Sequence, residues 1–340
     1  MDSSAAKPQS VAGGSMATAE QTYLRSELLE RREHILSFDP RADTDPSAKQ
    51  LLGEIDAALA RMEAGSFGIC LSCHTPVEAD RLLQDPTVEV CLDCLSPAEQ
   101  RALERDLTLA AQIQRGLLPR KDLAPLGWRV GYHYQPAALV SGDFCDLLET
   151  DSGLLFLFGD VAGKGVAASM LMSHLHATFR ALADSEDSVE RMATLANRLF
   201  CESTLAGQYA TLVVGRGARD GSVELVSAGH LPILHVGSGG TVPRDATGYP
   251  LGMFRKAEFA VHRMTLQPGE SLLLYTDGIS EARNSADEEY GLERVAEVAS
   301  RCASLSPDGL IENCLAELSR FSGARKASDD LALLALQHVQ

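Results

Sequence analysis

The sequence predicts an α+β sandwich preceded by a small helical module that carries cysteines. Three observations lead there. From about residue 126 to the C-terminus, short apolar runs bounded by Gly, Ser and Asp alternate with longer stretches of helical periodicity. Strands with interposed helix pairs build a layered α+β domain. Ahead of them, two C-x2-C pairs are separated by seventeen residues, a spacing suited to one tetrahedral four-thiolate ion. Between the two parts, residues 96–119 hold one uninterrupted helical pattern.

Length and charge narrow the function classes. The chain has 340 residues, enough for about two domains. Its formal net charge is −17, from 47 acidic and 30 basic residues. That argues against general nucleic-acid binding, whose footprint is a basic surface. No run approaches the roughly 18 apolar residues of a membrane span. The N-terminus has no basic region followed by an apolar core, so no signal peptide is expected and the expected compartment is the cytoplasm. Eight cysteines in a reducing compartment read as metal ligands and buried thiols.

Residues 1–18 are small and polar and read as a disordered leader. Residues 19–95 form the first module. Leu24, Leu28, Leu29, Ile35 and Leu36 mark a helix over Glu20–Phe38. Leu51, Leu52, Ile55, Leu59 and Met62 mark a second over Ser47–Ala64, making a helical hairpin. Cys70, Cys73, Cys91 and Cys94 then supply one structural Zn2+ site with no open position. Cys70 to His74 also spells the haem-attachment pattern C-x-x-C-H, which would leave Cys91 and Cys94 without a role. His74 reads as a bystander or a donor to a zinc-bound sulfur. A redox C-x-x-C would need a surrounding βαβ pattern, which is missing here.

Residues 96–119 form the connector. Ser96 caps, Pro97 takes the first helical position and Glu99 completes a capping box. Leu103, Leu107, Ala110, Ile113 and Leu117 give a narrow stripe, as in a helix–helix seam, and Pro119 ends it. The seam fits either pairing with a second copy of the chain, which would let the helix pass the state of the N-terminal module to the metal site, or packing on the chain's own domain.

Residues 120–340 hold the sandwich. Strands are expected at Trp128–Tyr134, Val140–Leu148, Leu154–Val161, Tyr209–Gly215, Val223–Ser227, Ile233–Val236, Phe259–Leu266, Ser271–Thr276 and Leu331–Leu336. Helices are expected from Gly165, over Ser188–Cys201, Leu292–Ala303 and Asp308–Phe321. Asp143, Asp160, Asp277 and Asp329 fall at or near strand boundaries, each next to Gly or Ser. Singly, each is a turn or cap residue. Together they offer what a hard-cation oxygen site needs, and Mg2+ or Mn2+ prefers carboxylates.

The ordered set from Ala111 to Leu336 resembles the PPM-type metal-dependent protein phosphatases, in their bacterial SpoIIE/RsbU-like branch. The matching stretches are Ala111–Pro119, Ser141–Asp146, Gly159–Gly165, Ser227–His230 with Pro232, Thr276–Asn284 and Ser328–Asp330. The resemblance implies an αββα sandwich and two Mn2+ or Mg2+ ions. It places Asp143, Asp160, the Val161 carbonyl, Asp277 and Asp329 around them, with Asp146 and Asp330 orienting waters or ligands. It implies a phosphoserine or phosphothreonine protein substrate, with an anti-sigma-factor antagonist of the STAS type as one candidate. Ser141, Ala332 and Ser227 stand where Gly, Thr and Asn are frequent in that branch, and none is a ligand position. No arginine stands just before Asp143, which leaves the grip on phosphate largely to metals. Lys164 lacks the P-loop spacing and reads as part of a flexible turn. His174 and His176 read as packing or solvated residues, His230 as structural, and Cys145, Cys201, Cys302 and Cys314 as buried thiols.

Gly65–Cys94 resembles the zinc finger of the DksA/TraR family, with a hairpin far shorter than the DksA coiled coil. Two rival readings follow. One is a non-enzymatic regulator that binds RNA polymerase through this module. The other is a phosphatase acting on a small molecule or nucleotide.

Overall fold

The computed structural model describes residues 46–339 except 121, 122, 124, 152, 205, 206, 324 and 326–328, together with residues 21, 24–26, 28, 29, 32 and 36. The expected leader lies outside the described residues. The chain divides into two compact units, Met1–Arg105 and Asp106–Gln340.

In the first unit the described residues between 21 and 36 are helical. The helix α1 spans Pro46–Glu63. Arg25 pairs with Glu63 and Arg32 with Asp56. A rising number on one side meets a falling number on the other, so the two segments run antiparallel. Leu24 and Leu28 are fully buried against Ile55 and Ala58. The apolar face is narrower than the sequence implies, because Leu29, Leu36 and Leu51 are exposed. Ile35 lies outside the described residues.

The same core continues into the cysteine module through Phe67, Cys70, Val77, Leu82 and Cys91. The Arg61 guanidinium donates to the Thr87 carbonyl at 3.0 Å and pairs with Glu89, tying α1 to the second cysteine pair. A six-residue helix, α2 (Ala79–Gln84), was not expected from periodicity. It is too short to show one. Arg81, on α2, donates to the Val90 carbonyl at 2.6 Å.

The helix α3 spans Pro97–Leu117, and the boundary between the units falls within it. Its capping box is reciprocal. The Ser96 N–H donates to Glu99 Oε2 at 2.8 Å, and the Glu99 N–H donates to Ser96 Oγ at 3.3 Å.

The second unit is an αββα sandwich. Its strands are β1 (Trp128–Gln135), β2 (Phe144–Thr150), β3 (Gly153–Val161), β4 (Ala210–Ala218), β5 (Ser222–Ala228), β6 (Ile233–Gly237), β7 (Gly240–Arg244), β8 (His262–Thr265), β9 (Ser271–Tyr275) and β10 (Leu331–His338). They form two antiparallel sheets, ordered β1-β10-β9-β6-β7 and β2-β3-β4-β5-β8. The helices are α4 (Gly165–Ala183), α5 (Val189–Ser203), the single turn α6 (Asp277–Ser280), α7 (Gly291–Arg301) and α8 (Pro307–Ser322).

Strand β3 shows how the layers arise. Leu155 and Leu157 face α4 and α5, packing on Met172, Leu175 and Phe200. Leu154, Phe156 and Phe158 point the other way, into the layer between the sheets. Side chains alternate along a strand, so a strand buried on both faces reads as a continuous apolar run. On the opposite sheet, β10 sends Leu333 and Ala335 toward α7 and α8, and Leu334 and Leu336 between the sheets.

Three expectations shift. The strand expected from Val140 begins at Phe144, because residues 139–143 turn into the site. The strand expected over Phe259–Leu266 shortens to β8, an edge strand paired only through Ser222–Leu225. Strand β7 was not expected. It carries Pro243, which an edge strand tolerates.

Candidate active site

Four of the aspartates named from sequence meet where the ends of the two sheets come together. Phe144 pairs with Gly159 across β2 and β3, which sets Asp143 and Asp160 side by side. Asp277 follows β9 and opens α6, and Asp329 lies just ahead of β10. The partner strands β9 and β10 bring those two together. Thr276 joins the pairs across the sandwich. Its hydroxyl donates to Asp143 Oδ2 at 3.0 Å and accepts the Ala332 N–H at 3.1 Å.

A loop beneath Asp143 is braced from several directions. The Asp143 N–H donates to Ser141 Oγ at 3.0 Å, and Ser141 Oγ donates in turn to Asp330 Oδ2. The other Asp330 oxygen accepts the Ala137 N–H at 2.7 Å. Gln114, buried on α3, grips the Ser141 backbone on both sides. Its Nε2 donates to the Ser141 carbonyl at 2.7 Å, and its Oε1 accepts the Ser141 N–H at 3.0 Å. Thr276 and Gln114 were not singled out from sequence. Both lie inside stretches that carry the resemblance, Ala111–Pro119 and Thr276–Asn284, but their partners are 27 and 133 residues away, so their bonds could not be read locally.

Asp330 thus touches the loop that carries Asp143. Asp146 does not. Its carboxylate is fully buried toward α4 and takes two bonds of 2.6 Å from the Arg180 guanidinium, with His176 Nε2 at 3.2 Å. The expectation that Asp146 orients waters or ligands of the site is therefore corrected. It lies two residues beyond Phe144 on β2, facing the helices, and anchors α4. Burial pushes its carboxyl up, but His176 and Arg180 outweigh that and hold it below the ordinary range.

The cluster is crowded with negative charge. Asp143 is raised well above the ordinary carboxylate range, first by burial and then by Asp160, Asp330 and Asp277. Asp160 is raised to about 7 by burial and by Asp277, Asp329 and Asp330. Asp277 is raised by burial and Asp329. Like charges held this close resist joint ionisation, and a cation among them relieves the repulsion. Gly142 lets the loop carrying Asp143 approach β3 closely, since a Cβ on it would lie 2.7 Å from the Val161 carbonyl oxygen, 3.1 Å from Asp160 Oδ1 and 3.4 Å from Ala168 Cβ, too close for a side chain. The donor set is all oxygen, which suits Mg2+ or Mn2+.

His230 is structural. Its Nδ1 lies 2.9 Å from the Thr211 hydroxyl and its Nε2 lies 3.2 Å from the Tyr275 carbonyl, so Nε2 carries the proton. Burial pushes its pKa down to about 4, and the neutral ring links β4 of one sheet to β9 of the other. Lys164 stands in a turn, between Gly163 and Gly165, and its ammonium donates to Asp329 Oδ2 at 2.9 Å.

In the first unit the four cysteine sulfurs lie within 4.8 Å of one another. Tight turns present them, with the Cys70 N–H on the Thr75 carbonyl at 2.8 Å and the His74 N–H on the Cys70 carbonyl at 3.0 Å. Cys73 and Cys91 pack the Cys94 thiol so closely that its pKa is pushed up. A sulfur cage of this size fits a tetrahedral ion. Cys145, Cys302 and Cys314 are buried as expected, and Cys201 is partly exposed.

A family model described as Stage II sporulation protein E (SpoIIE) matches residues 150–339. The chain belongs to the SpoIIE family. A second model, the prokaryotic dksA/traR C4-type zinc finger, matches residues 65–100. Among curated relatives, Protein IcfG of Synechocystis sp. is 26% identical over 261 residues, covering 68% of this chain and 41% of IcfG. Phosphoserine phosphatase RsbU of Bacillus subtilis is 23% identical over 240 residues, covering 69% of this chain and 70% of RsbU. The chain thus spans less than half of IcfG. Among solved structures, the SiaA-PP2C domain of Pseudomonas aeruginosa superposes with a TM-score of 0.63 at 21% identity, covering 71% of this chain and 98% of that domain. The SpoIIE-family unit accordingly has the PPM-type sandwich that the aspartate motifs implied.

The raised carboxyls give a pH dependence of definite sign. A group whose folded pKa is raised contributes stability that is full below its unfolded value, about 4, and lost as pH rises through the folded value. For Asp160 the loss runs from the ordinary range up through about 7. Asp146 works oppositely, and its contribution is lost only on acidification. With chelator present, the melting temperature should fall between pH 5 and pH 8, and Asp160→Asn should flatten that fall. Parallel wild-type and variant curves would count against the clustered charges.

Proposed function

We propose that this chain is a divalent-metal-dependent serine/threonine protein phosphatase governed by its N-terminal zinc module. The observation that carries the reading is the meeting of Asp143, Asp160, Asp277 and Asp329 from the ends of both sheets. With the Val161 carbonyl, they would hold two Mn2+ or Mg2+ ions. Such ions supply an activated water and offset charge on the phosphoryl oxygens. The chain's own part is positioning. Thr276 fixes Asp143 against the opposite sheet. Ser141, Asp330 and Gln114 fix the loop beneath it. SpoIIE-family membership and the likeness to a relative named as a phosphoserine phosphatase support a phosphoserine or phosphothreonine protein as substrate. A regulatory protein such as a STAS-type anti-sigma-factor antagonist is one candidate.

The remaining parts complete the proposal. Residues 19–95 form a regulatory module whose four cysteines hold one structural Zn2+. Residues 96–119 connect it to the catalytic part, residues 120–340. A reducing, cytoplasmic setting agrees with free thiolates as zinc ligands. No helix among the described residues is long and apolar enough to cross a membrane. We also assign the outer stripe of α3 to a contact with a second copy. Leu103 and Ile113 are exposed on it, whereas Ala111 and Gln114 turn inward.

Each part has its own test. Asp277→Asn nearly preserves shape and removes a ligand charge, so turnover of a phosphopeptide with Mn2+ should fall by at least ~100-fold while the fold is kept. Activity on nucleotides but not on phosphopeptides would replace the protein substrate with a small one. Activity on neither would favour a binding role for the zinc module.

Elemental analysis should find about one zinc per chain. Cys91→Ser should release it and destabilise the first unit, because metal binding and folding are coupled there. Iron in place of zinc, or full retention in the variant, would contradict the assignment.

Light scattering should give a dimer that Ala110→Asp weakens, with a change in turnover and no loss of metal. A monomeric wild-type chain would reduce α3 to a connector.

A further inference from the structure

Lys164 is a positive charge set within the carboxylate cluster. Its Nζ donates to Asp329 Oδ2 at 2.9 Å. The pair is not locked in place, because the lysine side chain is 68% exposed and that of Asp329 is 38% exposed. Lys164 stands between Gly163 and Gly165, with φ of +105° and +75°. A Cβ on Gly163 would meet nothing within 4 Å. The ammonium is a compact point charge on a flexible stem, so it can leave one partner without disturbing a packed surface.

A divalent cation and an ammonium would compete at this carboxylate. Both seek its oxygens, and two cations a few ångströms apart repel each other. We propose that Lys164 competes with the divalent cation for Asp329, so that it sets the cation concentration at which Asp329 becomes a ligand. This rests on the divalent-cation reading of the carboxylates.

The test uses the full chain with its cysteine site zinc-loaded, and titrates Mn2+ by calorimetry. K164M removes the charge at similar length and K164R keeps it. Removing one exposed competing ion pair should tighten Mn2+ binding by up to about 5-fold in K164M, with K164R at or below the wild-type affinity. A second readout follows the lysine itself. Mn2+ should increase acylation of the Lys164 amine relative to the chain's other lysines, read by mass spectrometry, as the ammonium leaves Asp329. Equal tightening in both variants would trace the effect to shape rather than charge and overturn the proposal. Tightening in K164M with no change in Lys164 labelling would mean a fixed field and no exchange, which also overturns it. A wild-type chain that binds Mn2+ while K164M binds no more tightly removes the lysine's role alone. A wild-type chain that takes up no Mn2+ removes the cation reading and this inference together.

Discussion

The constraint on which this structure turns is the holding together of carboxylates that repel one another. Asp143, Asp160 and Asp277 all lie above their ordinary range because burial and mutual charge act in the same direction. No local structure would place them so. With Asp329 they are delivered by strand ends, two from each sheet, and strand pairing fixes where those ends fall. The layer between the sheets, with Phe156, Phe158, Leu274 and Leu334, keeps the ends in register. The fold's apolar burial therefore supplies the work that the charges oppose.

Polar bonds then refine what packing brings near. Thr276 touches a carboxylate on one sheet and a backbone amide on the other. His230 spans the same gap as a neutral ring, and being uncharged it adds no further field to the site. Asp146 shows the alternative for a buried carboxylate. Given Arg180 and His176, it stays ionised and serves as an anchor for a helix. Two aspartates three residues apart on one stretch thus have opposite electrostatic fates, decided by which face of β2 or its preceding loop they occupy.

That contrast also shows what could be read from sequence. The meeting of Asp143, Asp160, Asp277 and Asp329 was legible because each follows or precedes an apolar run and sits beside Gly or Ser. The four cysteines were legible because their spacing encodes the geometry. The buried run Leu154–Val161 announced its strand by length and composition. Asp146 was misread because its role was carried over from the resemblance, whereas its partners Arg180 and His176 come from a helix 30 or more residues further on. Thr276 and Gln114 stayed hidden because their roles exist only once distant segments meet. Edge strands β7 and β8 were missed or overextended because one-sided pairing leaves a weak pattern.

Gln114 belongs to the helix that precedes the sandwich, yet its amide closes a two-point clasp on the Ser141 backbone and reaches Ser169 Oγ at 3.3 Å. The working part of the molecule therefore begins before its first strand. A fragment cut at the apparent start of the sandwich would keep every layer and every aspartate, but would lose the side chain that fastens the loop under Asp143. Structural completeness and functional completeness have different starting residues here, Trp128 and Gln114, and the last turn of α3 and the loop after it lie between them.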